Sequence, residues 1–222
     1  IPGKDQIFRA AYLYAVCVHP DWRGKGLAGK LLEGAGLYFR DRGIQAVTTV
    51  PASRELHGFF AKQGFFECFT QDERQWTPEL AKKAPETLPK IKLVNAAEYG
   101  VLREGLLSKL GHIGLPMDAL LYQAGCCRID GGGMYLVGAP AGPAALCAEG
   151  TGDKTLLVKE LIGSPEAVDQ IAAVLPQLLP KFGGTYRTLG DSVPFGMMKW
   201  LSPELDAAWD RDIRAYLGLA FD

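Results

Sequence analysis

Between an apolar run and the first helical pattern of this 222-residue chain stands Arg23-Gly24-Lys25-Gly26-Leu27-Ala28-Gly29. These residue types suit the holding of a pyrophosphate. Glycine admits positive φ and lets backbone approach a ligand closely. The amides that open a helix have no partner inside it, and the positive end of the helix dipole favours an anion. Arg23 and Lys25 supply cationic donors at the same place. The turn is not a nucleoside-triphosphate loop, because no Gly-Lys-Ser/Thr closes it, and we set aside a dinucleotide fingerprint as well. Further along, Ser53 offers a hydroxyl at a helix start and His57 a titratable ring within that helix. Tyr12 and Tyr14, two residues apart, share one face of a strand.

The elements around these residues can be read from their patterning. Ala10 to Val18 is aromatic and β-branched and predicts a buried strand, ended by His19-Pro20-Asp21-Trp22. Gly26 to Arg42 has helical periodicity, with Leu27, Leu31, Leu32 and Leu37 on or near one face. Ile44–Val50 predicts a strand, Arg54–Lys62 a helix capped by Ser53, and Phe65–Trp76 another strand. Strand and helix alternate, so crossover connections and partly parallel pairing are expected. Thr77–Pro89 is proline-rich and aperiodic and reads as a linker. Beyond it come a strand from Ile91, helices Ala96–Leu110 and Met117–Cys126, and three successive antiparallel strands, Met134–Ala139, Ala144–Glu149 and Lys154–Ile162. A helix Pro165–Leu179, strands Thr185–Leu189 and Phe195–Leu201, and a helix Pro203–Tyr216 complete the chain.

Val18-x-Pro20-x-x-Arg23-Gly24-x-Gly26-Leu27-Ala28-x-x-Leu31-Leu32 resembles motif A of the GCN5-related N-acetyltransferases (GNAT), whose Arg/Gln-x-x-Gly-x-Gly/Ala is met by Arg23, Gly26 and Ala28. Phe59-Phe60-x-x-x-Gly64-Phe65 resembles their motif B. The resemblance implies a mixed α/β (α+β) fold, a central mixed sheet flanked by helices, with acetyl-CoA as cosubstrate lying between two splayed strands, here Ala10–Val18 and Ile44–Val50. It implies that the backbone of Val16, Cys17 and Val18 binds the pantetheine arm. The turn Arg23, Gly24, Lys25, Gly26, Leu27, Ala28 and Gly29 would hold the pyrophosphate, with Ser53 beside the CoA arm. An acetyl group would pass directly to a primary amine of a small molecule or peptide, the Val18 N–H stabilising the oxyanion. The tyrosine that usually protonates the departing thiolate is replaced by Phe60, which has no proton to give. His57, one helical turn earlier, is the candidate substitute, and the terminal residue Asp222 is a candidate base. An acyl-CoA-binding sensor or regulatory module without turnover is the alternative that this departure suggests.

The resemblance divides the chain into residues 1–80, the later part of a GNAT domain, a linker at 81–90, and a second, degenerate GNAT-like domain at 91–222 without a glycine turn. The N-terminal elements of the first domain are expected to have been removed. Composition narrows the partners. Net charge is -1, with no basic tract, so nucleic acid is not an expected partner. No apolar run reaches the length of a membrane span. The five cysteines have no metal-ligand spacing, and the three histidines are scattered, so no metal is expected. Free thiols and the lack of a leader suggest a cytoplasmic protein, and a homodimer is compatible with all of this.

Overall fold

The computed structural model describes residues 6–77, 88–129, 131–152, 155–179 and 183–220. The expected linker at 81–90 and the terminal Asp222 lie mostly or wholly outside them. The chain forms two units. One comprises Ile1–Thr70, Pro194–Ala215 and Ala220–Asp222, the other Gln71–Val193 and Tyr216–Leu219.

In the first unit β1 (Ala10–Tyr12) runs parallel to β2 (Ala46–Thr49). On its other edge β2 pairs antiparallel with Met197–Trp200, the end of the long strand β8 (Gly183–Trp200). β3 (Phe66–Trp76) also pairs with β8. Helices α1 (Leu27–Arg40) and α2 (Arg54–Lys62) connect the first strands. The core joins Leu32, Val47, Phe60, Phe65 and Met197. The leucine face expected for α1 is not the packed one, since Leu31 is 54% exposed and Leu27 and Leu37 are also exposed. Ala28, Leu32, Ala35, Gly36 and Phe39 form the inner stripe instead. Small residues there permit close approach: a Cβ on Gly36 would meet Leu201 at 3.5 Å.

In the second unit β4 (Lys90–Leu93), β5 (Gly133–Ala139), β6 (Gly142–Gly152) and β7 (Thr155–Ile162) form an antiparallel run. β7 then pairs parallel with the first part of β8. Helices cover both faces. Ala144, Leu146 and Ala148 of β6 pack with Val168 and Ile171 of α5 (Pro165–Ala172) and Leu175 of α6 (Leu175–Leu178). Ala145 and Cys147 point the other way, towards Tyr99 and Leu107 of α3 (Ala96–Leu107) and Leu120 and Cys127 of α4 (Met117–Ile129). A strand buried on both sides is apolar throughout, which is why β6 shows no alternation.

Later elements differ from expectation. The helix expected over Pro165–Leu179 is interrupted after Ala172, because Pro176 has no N–H and its ring clashes one turn back. The strands Thr185–Leu189 and Phe195–Leu201 are one strand, β8, in which Pro194 sits exposed. The last helix, α7 (Pro203–Ala208), stops short of Tyr216. Its continuation is extended because the backbone is claimed by tertiary pairing. Ala215 N donates to Cys68 O at 2.9 Å, and Tyr216 N to Gly111 O at 2.9 Å.

The second unit buries a charge cluster. Arg103 Nε lies 3.1 Å from both oxygens of Glu160, and both side chains are wholly buried. Tyr99 Oη donates to Glu160 at 2.8 Å. Arg103 Nη1 donates to Ile113 O at 2.9 Å, and Nη2 to Leu217 O at 3.2 Å. Gly218, at φ +69°, closes the cluster, since a Cβ there would collide with Glu160 Oε2. Burial, then the Glu160 charge, holds the phenols of Tyr99 and Tyr216 well above their ordinary range. Removing one partner strands the other in a site without water. Glu160→Leu and Arg103→Met are each expected to lower unfolding free energy by roughly 3–5 kcal/mol. The double variant should cost clearly less than their sum in urea unfolding; strict additivity would show that the two charges do not depend on each other.

Candidate functional site

The site residues of the first unit are organised by the way β1 leaves β2. Strand pairing runs from Ala10↔Ala46 to Tyr12↔Thr48, and the last rung is Leu13 N to Thr48 O at 2.8 Å. Thr49 Oγ1 fastens the point of divergence by donating to Leu13 O at 3.1 Å. Beyond it the strand expected to reach Val18 is not part of the ladder, so Val16, Cys17 and Val18 follow an irregular path. Ala15 marks the change, with φ +54°, the one non-glycine positive φ among the described residues. Inward-facing residues are Ala11 and Leu13, then Val16. The alternation slips by one at Ala15, as at a bulge. Tyr12 and Tyr14, before the slip, stack at 6.5 Å between ring centroids.

A short 3-10 turn at Pro20–Trp22 leads into the glycines. Gly24 and Gly26 both have positive φ, +75° and +73°, and a Cβ on either would meet nothing within 4 Å. Gly26 is the N-cap of α1 in left-handed conformation, and no side chain caps the helix. The first amides of a 14-residue helix therefore open into free space. Arg23 and Lys25, the expected cationic donors, also make contacts within the turn. Arg23 Nε donates to Val18 O at 3.1 Å, tying the turn to the end of the diverging segment. Lys25 Nζ donates to Asp21 O at 3.2 Å and stands 4.5 Å from the centre of the Trp22 ring. Leu27, Ala28 and Gly29 form the first turn of α1, and a Cβ on Gly29 would press on Gln63 Oε1 at 3.1 Å.

Ser53 is the N-cap of α2, as expected, but its hydroxyl makes no cap hydrogen bond and the residue is exposed. Phe60 is buried at 5% exposure, with Phe65 edge-on at 5.3 Å, and belongs to the core rather than to an open cleft. His57 is 15% exposed, and its Nδ1 stands 3.3 Å from Glu67 Oε1 on β3, at ion-pair distance. Asp222 lies outside the described residues. The threonine latch and the slip at Ala15 carried no warning in the sequence, because AAYLYAVCV is apolar on both faces.

The spacing Gly24-x-Gly26-x-x-Gly29 does meet the glycine pattern of a dinucleotide fingerprint, so glycine spacing alone does not set that reading aside. The structure does. In that motif the glycine turn directly follows its strand, and an acidic residue stands at the end of the next strand. Here an irregular segment and a 3-10 turn intervene, and β2 is followed by Val50-Pro51-Ala52-Ser53 without a carboxylate. Among the described residues no group of three or more His, Cys, Asp and Glu could hold a metal ion, and no helix is long and apolar enough to cross a membrane.

Residues 4–79 match the family described as acetyltransferase (GNAT) domain. The fold of the chain is similar to that of a GCN5-related N-acetyltransferase from Kribbella flavida, at 16% identity and TM-score 0.60, covering 86% of this chain and 53% of that one. It is likewise similar to a GCN5-related N-acetyltransferase from Anabaena variabilis, at 13% identity and TM-score 0.65, covering 87% and 55%. A probable N-acyltransferase from Enterococcus faecalis is similar at 14% identity and TM-score 0.61, covering 87% and 55%. No curated protein matches the sequence significantly. The fold is thus of the GNAT type, and the sequence match to that domain lies in residues 4–79. The chain spans little more than half the length of the solved structures it matches.

The open space at Gly26 makes a sharp test. A side chain there enters no occupied volume, and the strain of left-handed backbone is about 1–2 kcal/mol. A carboxylate near a helix N-terminus restores about 0.3–1 kcal/mol. Gly26→Glu should therefore stay folded by circular dichroism while its carboxylate excludes a pyrophosphate. Affinity for CoA equal to that of the parent would show that the anion binds elsewhere.

Proposed function

We infer that the protein transfers an acetyl group from acetyl-CoA to a primary amine of a small molecule or peptide. The observation that carries this reading is the open, uncapped N-terminus of α1 at Gly26, reached from a strand that parts from its neighbour at Leu13. The donor supplies an activated thioester: the amine nitrogen bonds to its carbonyl carbon, the C–S bond breaks, and the thiolate takes a proton. The chain's part is to bind and orient. The amides of Gly24 to Gly29 receive the pyrophosphate, and the backbone of Val16, Cys17 and Val18, released from the ladder, receives the pantetheine amides. Ser53 is suited to the same arm because its hydroxyl is not used by its own helix. The Val18 N–H is the proposed oxyanion donor.

His57 is the proposed proton carrier. With a carboxylate beside Nδ1, Nε2 is the nitrogen left to exchange a proton. A thiol with an ordinary pKa near 8.5 also leaves tolerably unaided. Asp222 remains the proposed base, and residues 91–222 are proposed to be the degenerate GNAT-like domain. A cytoplasmic setting and a homodimer complete this reading.

Binding without turnover is the second reading, and the burial of Phe60 favours it, since the core takes the side chain that would otherwise give the proton. Calorimetry with acetyl-CoA and thiol release over a panel of primary amines separate the two. The transferase reading expects binding and amine-dependent thiol release. His57→Gln should then lower kcat by roughly 10²-fold with KM for acetyl-CoA nearly unchanged. Binding with no release for any amine would establish the sensor, and no binding at all would overturn both.

A further inference from the structure

The second unit holds two thiols that the acyltransferase reading does not use. Cys127 on α4 and Cys147 on β6 are both fully buried, with Sγ atoms 3.5 Å apart. Their surroundings are polar on one side. Gln123, one turn before Cys127, donates Nε2–H to Cys127 Sγ at 3.4 Å and to Glu149 Oε2 at 2.8 Å. Lys159 Nζ stands 3.4 Å from the same carboxylate, whose side chain is 28% exposed. A seam of polar groups thus leads from Cys127 to solvent, beside a register shift between Cys147 and Ala148 in the β6–β7 ladder. The two sulfurs are not equivalent. The contact between the sulfurs, helped by Gln123, draws the Cys127 thiol below its ordinary range, whereas the same contact and burial push Cys147 above it. Cys127 is also the sulfur that Gln123 joins to the polar seam, which makes it the one placed to react first.

We propose that Cys127 and Cys147 form a peroxide-sensitive dithiol, closing to a disulfide that fastens α4 to β6. The Cys127 thiolate attacks one peroxide oxygen; an S–O bond forms, the O–O bond breaks, and hydroxide leaves as water after taking a proton. Cys147 then attacks the sulfenic sulfur; the S–S bond forms, the S–O bond breaks, and the oxygen leaves as a second water with the Cys147 proton. Two thiols lose two electrons and one hydrogen peroxide is reduced. The sulfurs must close from 3.5 Å to about 2.05 Å. Peroxide is close to water in size and, like water, can hydrogen-bond to the polar groups of the seam.

The first test uses the unaltered protein. The protein is treated with hydrogen peroxide, unreacted thiols are blocked by alkylation after unfolding, and the intact mass and proteolytic map are read. The expected product has lost two hydrogen atoms, joins the α4 peptide to the β6 peptide through Cys127 and Cys147, and melts several degrees higher until a phosphine reductant reverses it. In Cys147→Ser the sulfenic acid at Cys127 should persist and be trapped by a 1,3-diketone. Retention of both thiols after treatment, or a bridge that uses Cys17, Cys68 or Cys126 instead, would overturn the proposal.

Discussion

Every backbone N–H and C=O released from a sheet needs another partner, and β1 releases a run of them on purpose. Pairing with β2 ends at Leu13, held by the Thr48 carbonyl and the Thr49 hydroxyl. Beyond it Tyr14, Ala15 and Cys17 are exposed, so the released groups can reach solvent. The left-handed φ falls at Ala15, and Val16 returns a side chain to the core. The 3-10 turn, the Arg23–Val18 bond and the two left-handed glycines all follow from carrying this diverted backbone into α1. The binding proposed for an elongated ligand, amides at one end and an anion at the other, thus rests on main chain, with side chains in support.

The two units solve burial differently. The first packs aromatic rings at right angles around α2, using Phe59, Phe60 and Phe65. The second covers both faces of an antiparallel run and buries ions as well as apolar groups. Arg103 reaches Glu160, the Ile113 carbonyl and the Leu217 carbonyl at once. That arrangement specifies where Tyr216–Leu219 must lie, which apolar packing alone would do less strictly. Hydrophobic contacts are non-directional, whereas a guanidinium fork fixes its acceptors.

The glycine turn was legible because its requirements are local: positive φ and an uncapped helix start are written in the residue types themselves. So were α2, which needs only its own periodicity and a serine before it, and the β5–β6–β7 run. The slip at Ala15 was not, since alanine gives no sign of left-handed backbone and its neighbours are apolar on both sides. The length of the last helix was misread for another reason. Pro203–Tyr216 has helical propensity, but Cys68 and Gly111, distant in sequence, take the backbone bonds of Ala215 and Tyr216. The break before Pro176 could have been anticipated from proline alone. The place of Phe60 within motif B was legible, but its role as core rather than cleft required the contacts.

β2 has neighbours of very different age during synthesis. Ala46–Thr49 can meet β1 as soon as both have emerged, but its antiparallel partner Met197–Trp200 is made about 150 residues later. At ribosomal speeds of about 5–20 residues per second, that is a wait of roughly 8–30 seconds. Throughout it, one edge of a fully buried strand stands open, and the glycine turn rests on a half-built sheet. The glycine turn, made early in this chain, is therefore among its later parts to become rigid.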